Sequence, residues 1–202
     1  MLKNELSVSV AITGASGVQY GLSLVRCLLD ANINVHLMVS SAALDVMSIE
    51  VDPATPKDIP AFREYLYLLY PNSQGRLFFY TDRQWTSLVA SGSGGPKSMV
   101  VCPCSAGTLS AIACGASNNL IERAADVILK ERRQLILVPR EMPLSTIHLE
   151  HMLKLSNMGA VIMPASPGFY HKPLSVQDMI DFVVARVLDH LGVPHDLVAA
   201  WG

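Results

Sequence analysis

The sequence is poor in charge and in aromatic rings. Only 16% of its 202 residues are charged and 6% aromatic, against 50% hydrophobic. Fifteen Lys and Arg stand against seventeen Asp and Glu, a formal net charge of −2, which excludes a general nucleic-acid binder with its basic footprint. No DDxxD-like acidic cluster and no HExxH spacing occurs. These patterns hold magnesium or zinc elsewhere, so no metal site is expected. The four cysteines (Cys27, Cys102, Cys104, Cys114) form no CxxC pair. They read as free buried thiols of a cytoplasmic protein, with Cys102 and Cys104 on one side of a strand end. The opening MLKNELSVSVAIT has Glu5 close behind Lys3 and then alternates, so it reads as a first strand and not as a signal peptide. No charge falls between Lys97 and Glu122, long enough for a bilayer. Pro103, with glycines and serines, interrupts that stretch, and a buried strand, loop and helix fit it better.

What is present is alternation. Short β-branched runs at Ser7–Thr13, Val35–Val39, Leu77–Tyr80, Met99–Pro103, Leu135–Pro139 and Ala160–Met163 predict strands. Amphipathic segments at Tyr20–Asp30, Ala42–Glu50, Ile59–Leu69, Gly107–Cys114, Leu120–Glu131, Ile147–Asn157 and Val176–Leu191 predict helices. The pattern implies an α/β fold, a single doubly wound parallel-sheet domain of Rossmann-like type over residues 1–202. Asp52–Pro60, Ser91–Pro96 (SGSGGP) and Pro164–Pro173 (PASPGFYHKP) read as loops, the last with an aromatic pair at its middle.

Two stretches have the form strand, small-residue turn, helix. In VAITGASGVQYG the glycines at 14, 17 and 21 fit neither GxGxxG nor a P-loop, yet free amides at a helix start still favour an anion. The second strand ends in Ser40 and Ser41 where a dinucleotide binder places an acid, so a mononucleotide is the better expectation. Ser16 lacks the G-x-S-x-G elbow of a hydrolase and reads as a ligand contact. In PCSAGTLSA, Ser105 and Thr108 serve either as helix caps or as donors to a ligand.

The third informative stretch is ERAADVILKERRQLILVPRE, residues 122–141, with five of the fifteen Lys and Arg. Arg123 and Lys130, seven apart on a helix, share nearly one azimuth and can face one small anion. Arg132 and Arg133 read as cations offsetting a helix dipole. Arg140 and Glu141 follow LILVP at the carboxyl end of a strand, where side chains reach the crevice. Glu141 is expected at a buried edge among three cations, either staying ionised or shuttling a proton once a substrate anion takes up the positive charge.

Together TGASGVQYG, PCSAGTLSAIACGASNNLIERAADVILKERR, LILVPRE, IHLEHMLKLSNMGAVIMPASPGFYHKP and VVARVLD resemble the UbiX flavin prenyltransferases over nearly the whole chain, within the flavin-binding cysteine-decarboxylase-like group. The resemblance implies transfer of a dimethylallyl group from dimethylallyl phosphate to N5 and then C6 of reduced FMN. The product, prenylated FMN, would serve UbiD-type decarboxylases, whether in ubiquinone synthesis or in aromatic-acid decarboxylation. It also implies a homododecamer. The flavin is then a substrate, and the missing metal motif favours a monophosphate donor over a diphosphate. By resemblance, Gly14, Ala15, Ser16, Ser40, Ser105, Ala106, Gly107, Thr108 and Arg140 contact FMN. Arg123, Lys130, Tyr170 and Arg186 hold the prenyl phosphate, Arg186 at a site built partly by a neighbouring subunit. Ser16 and Glu141 match the family's proton-transfer pair. Glu50 matches a further site glutamate, and Trp85 matches an aromatic residue near the prenyl chain, with solvation of a helix end and a core or loop anchor as the plainer roles. Two other readings use the same turns: an FMN-dependent decarboxylase of the cysteine-peptide type and a non-catalytic flavin carrier. The first uses a histidine that Tyr80–Ser105 lacks, and the second has no need of a phosphate clamp.

Overall fold

The computed structural model describes residues 6–71 and 76–198. Six strands, β1 (Ser7–Ile12), β2 (Asn34–Val39), β3 (Leu77–Tyr80), β4 (Ser98–Cys104), β5 (Gln134–Pro139) and β6 (Val161–Ile162), form one parallel sheet in the order β3-β2-β1-β4-β5-β6. Helices α1 (Val18–Asp30), α2 (Ser41–Glu50), α3 (Ile59–Leu69), α4 (Ala106–Ala113), α5 (Leu120–Lys130), α6 (Thr146–Asn157) and α7 (Val176–Leu191) complete the expected order. A 3-10 turn at Leu88–Ala90 was not legible in the sequence. The expected strands and helices are all present, with small differences at their ends.

The strands are apolar on both faces, as a sheet covered on both sides requires. Val8, Val10, Ile12, Val35, Leu37, Val39, Val100, Ile136 and Val138 pack with α1, α2, α3 and α7. Ala11, Met38, Met99, Val101, Leu135 and Leu137 alternate with them and pack against α4, α5 and α6. Leu37 is fully buried, and truncating such a side chain to Ala costs about 3 kcal/mol. Among the described residues no helix is long and apolar enough to cross a membrane.

Alternation fails at one place. Cys102 packs into the core beneath α1 and α7, Cys104 into the core on the opposite face. The expectation that the two share one side is therefore corrected: the register of β4 against β5 shifts between Val101 and Cys104, which breaks the period of two. Burial raises the pKa of both thiols, that of Cys104 to about 12. Cys27 is only half-buried and Cys114 exposed, so burial does not extend to all four.

Sheet order reverses between β1 and β4. The chain winds outward from β1 through β2 to β3, then returns to lay β4 on the other side of β1. The loops leaving β1 and β4 diverge there and open a crevice at the carboxyl ends of the strands.

Candidate active site

Thr13, just after β1, ties the two turns of that crevice together. Its hydroxyl donates to Pro103 O at 2.9 Å and accepts from Ser105 N at 2.8 Å. Ser40 N donates to Ile12 O at 3.0 Å, which fixes the end of β2 beside them. From β5, Arg140 N reaches Cys104 O at 3.4 Å and its Nε donates to Ser16 O at 3.2 Å. Gly14 lets the start of α2 approach this turn, because a Cβ there would run into the side chain of Ala42. Gly17 lies at φ 95, in the left-handed region that glycine adopts without strain.

Three helices begin at this crevice. Ser40 caps α2 through Ala43 N at 3.1 Å, and Ser105 caps α4 through Thr108 N at 3.3 Å while its Oγ donates to Thr108 Oγ1 at 3.0 Å. The capping role weighed for Ser105 is thus present. Helix α1 has no side-chain cap at all. Glu50 supplies one acceptor from a distance: its Oε2 takes the Gly17 N–H at 2.8 Å. Glu50 therefore closes the turn itself, a role that differs from the solvated helix end considered for it. Three positive helix ends converging on one cleft, with open space beside Gly107, suit a phosphate-bearing polar ring system. The residues present fit FMN on those grounds.

The remaining candidate residues lie elsewhere in the chain. Tyr170 and Arg186 line one cavity of about 1090 Å³ with Phe182, Asp189 and His195. Arg123 and Lys130 lie on α5, where Arg123 pairs with Asp126 at 2.9 Å and Lys130 pairs with Glu131. The Lys130 contact holds the Glu131 carboxyl below its ordinary pKa. Lys130 sits at the amino edge of the sheet: a Cβ on Gly92, in the loop leading into β4, would stand 3.0 Å from its Nζ. Arg140 is at the opposite end of β5, and a six-residue strand spans about 20 Å.

The Flavoprotein family matches residues 2–188. The flavin prenyltransferase UbiX of Pseudomonas aeruginosa is 55% identical over 195 residues, 96% of this chain and 93% of that one. The chain belongs to the UbiX flavin prenyltransferases of the flavoprotein family. Among solved structures, AnUbiX in complex with FMN and dimethylallyl pyrophosphate is 36% identical with a TM-score of 0.87, covering 98% of each chain. A dodecameric FMN-dependent UbiX-like decarboxylase from Escherichia coli O157:H7 is 39% identical with a TM-score of 0.84, covering 98% of this chain and 100% of that one.

Set on this UbiX framework, several expectations change. Glu141 is exposed, accepts only from Met142 N at 3.2 Å, and among the described residues makes no ion pair. Within one chain, no buried edge among cations forms around it among the described residues, because the strand carries Arg140 away from Lys130. Arg133 does more than offset a dipole: its guanidinium donates to Gly95 O at 3.2 Å, to Pro96 O at 3.3 Å and to Gly92 O, pinning the SGSGGP loop. Trp85 is 44% exposed in a loop fastened to the start of α5 by Leu120 N on Asp82 O at 2.8 Å. Ala106 and Gly107 open α4, as its first two residues. Sequence reasoning passed over Thr13, whose signal was a hydroxyl where a strand meets a glycine turn. It also passed over Asp189, which ends VVARVLD but received no role there, and His195, which lies outside every motif.

Proposed function

We propose that the protein is a flavin prenyltransferase that moves a dimethylallyl group from dimethylallyl phosphate to N5 and C6 of reduced FMN, without a metal, and that UbiD-type decarboxylases receive the product. The observation that carries this reading is the presence of two separate polar sites, a crevice of helix starts at the β1–β4 switch point and an Arg–Tyr cavity beside α7, in a chain of the UbiX family.

Reduced FMN supplies the nucleophilic ring atoms. Gly14, Ala15, Ser16, Ser40, Ser105 through Thr108, and Arg140 would seat it in the crevice, with amides and caps on its phosphate and polar edge. Tyr170, Arg186, Arg123 and Lys130 would hold the donor phosphate, because carbon–oxygen cleavage needs fixed cations on the leaving oxygens. Lys130 and Arg140 stand at opposite ends of one strand. A shared site therefore draws Lys130 from a second copy of the chain, and a homododecamer would provide the arrangement. Glu141, exposed at the crevice rim, and Ser16 would pass protons at the ring, Glu50 would keep the glycine turn closed, and Trp85 would present its π face to the prenyl group.

The test is anaerobic incubation with reduced FMN and dimethylallyl phosphate, without added metal, followed by mass analysis of the released flavin. A gain of one five-carbon prenyl unit is expected. Bound but unmodified FMN would overturn the reading in favour of a decarboxylase or carrier. Dimethylallyl diphosphate in a parallel reaction identifies the donor.

A further inference from the structure

Arg186 does not stand alone on α7. Its Nη1 donates to Asp189 Oδ2 at 2.5 Å, one turn further along, and Asp189 Oδ1 lies 3.0 Å from His195 Nε2. A carboxylate only accepts, so the His195 Nε2 carries the hydrogen and donates it. The His195 side chain is 12% exposed, and its Nδ1 is buried with no hydrogen-bond partner among the described residues.

The backbone fixes this chain of contacts. Helix α7 starts on a capping box between Ser175 and Asp178 and ends at Gly192, whose φ of 68 turns the chain back. Val193 is buried, with its N–H on Leu188 O at 3.0 Å, and that reversal sets His195 against the last turn of the helix. Arg186, Asp189 and His195 all line the cavity that also holds Tyr170.

An arginine on a helix surface samples many rotamers, and a ligand that needs one of them must restrict it on binding. Asp189 takes Nη1 and leaves Nε and Nη2, so one edge of the guanidinium fork is held and the rest can still donate. We propose that Asp189 and His195 are positioning residues that hold Arg186 aimed into the cavity it shares with Tyr170, ready for the phosphate of the prenyl donor. This rests on the reading above that Arg186 receives that phosphate.

The opposite role is a plain counter-ion that draws charge from Arg186 and weakens its attraction for phosphate. Steady-state kinetics with reduced FMN and dimethylallyl phosphate separate the two. Under positioning, Asp189→Ala raises the donor KM on the order of tenfold, with kcat changed less than about threefold, because one mobile side chain must then be restricted by the ligand. Asp189→Asn keeps an acceptor for Nη1 and restores most of the loss. His195→Ala raises the donor KM about threefold, and His195→Gln, whose amide N–H can reach Asp189, returns it to within about twofold. FMN affinity and Tm serve as controls for the fold. An unchanged or lowered donor KM in Asp189→Ala, with Arg186→Ala still raising it, overturns the positioning role alone. If Arg186→Ala leaves the donor KM unchanged, the assignment of Arg186 fails and the positioning role fails with it.

Discussion

Around the turn after β1, side chain and backbone from different elements hold one another: Thr13 bonds the backbone of Pro103 and Ser105, while the side chains of Arg140 and Glu50 bond the turn's own backbone at Ser16 and Gly17. At the cavity beside α7 the arrangement is looser. Tyr170 is 77% exposed, Phe169 70% and Leu174 95%, and Arg186 is held by its own helix neighbour. In the first region the contacts that hold the turns all come from within one chain. The second presents apolar and cationic groups outward, as a surface does when another molecule finishes it. The difference teaches that a ligand crevice at a sheet switch point is fixed by the fold, whereas a clamp placed on helix surfaces depends on what packs against them.

The contrast breaks most severely at Gly21. A Cβ there would run into Cys102 O and into Ile12, both on strands and unable to give way. Gly21→Ala is expected to destabilise the fold by about 3 kcal/mol, read as a lowered Tm with loss of flavin binding. Next comes Thr13→Val, which keeps shape but leaves Ser105 N without its acceptor. A loss of about 2 kcal/mol and a weaker FMN affinity follow, and an unchanged denaturant midpoint would show that the two turns do not depend on this link.

Beneath the crevice, His36 on β2 stacks on Phe78 with centroids 5.0 Å apart and bonds Tyr80 Oη through Nδ1 at 3.0 Å. Burial pushes its pKa down to about 4. In the unfolded chain a histidine binds its proton near pH 6.5, so between about pH 6.5 and 4 the unfolded state holds more protons. Stability is then fully present above that window and falls as pH drops through it, by about 3 kcal/mol. His36→Phe should flatten that slope in denaturation curves taken across it.

The smallest effect on stability is expected on the clamp. Arg123 and Asp126 are each 35% exposed, and such pairs contribute below about 1 kcal/mol. Arg123→Ala should leave Tm nearly unchanged while weakening donor binding; a large drop in Tm would place Arg123 in the scaffold instead.

Much of this is legible in the amino-acid sequence. The strands betrayed themselves by β-branched runs, α5 by Arg123 and Lys130 sharing one azimuth, and the start of α4 by Ser105; the caps Ser40, Asn119, Ser145 and Ser175 appear only in the structure. Position along the sheet was not legible. Glu141 follows Arg140 in sequence, and only the length of β5 separates both from Lys130. Cys102 and Cys104 fell on opposite faces through a register shift that composition does not record.

The sequence by itself determined the elements and the doubly wound class, because periodicity and turn chemistry act over a few residues. The tertiary structure alone decided that Thr13 laces two turns, that Glu50 closes the glycine loop, and that Asp189 and His195 stand behind Arg186. Those contacts join residues far apart in the chain, or reverse it sharply. Strand order and chain reversal set which donor meets which acceptor, and neither is written in any local pattern.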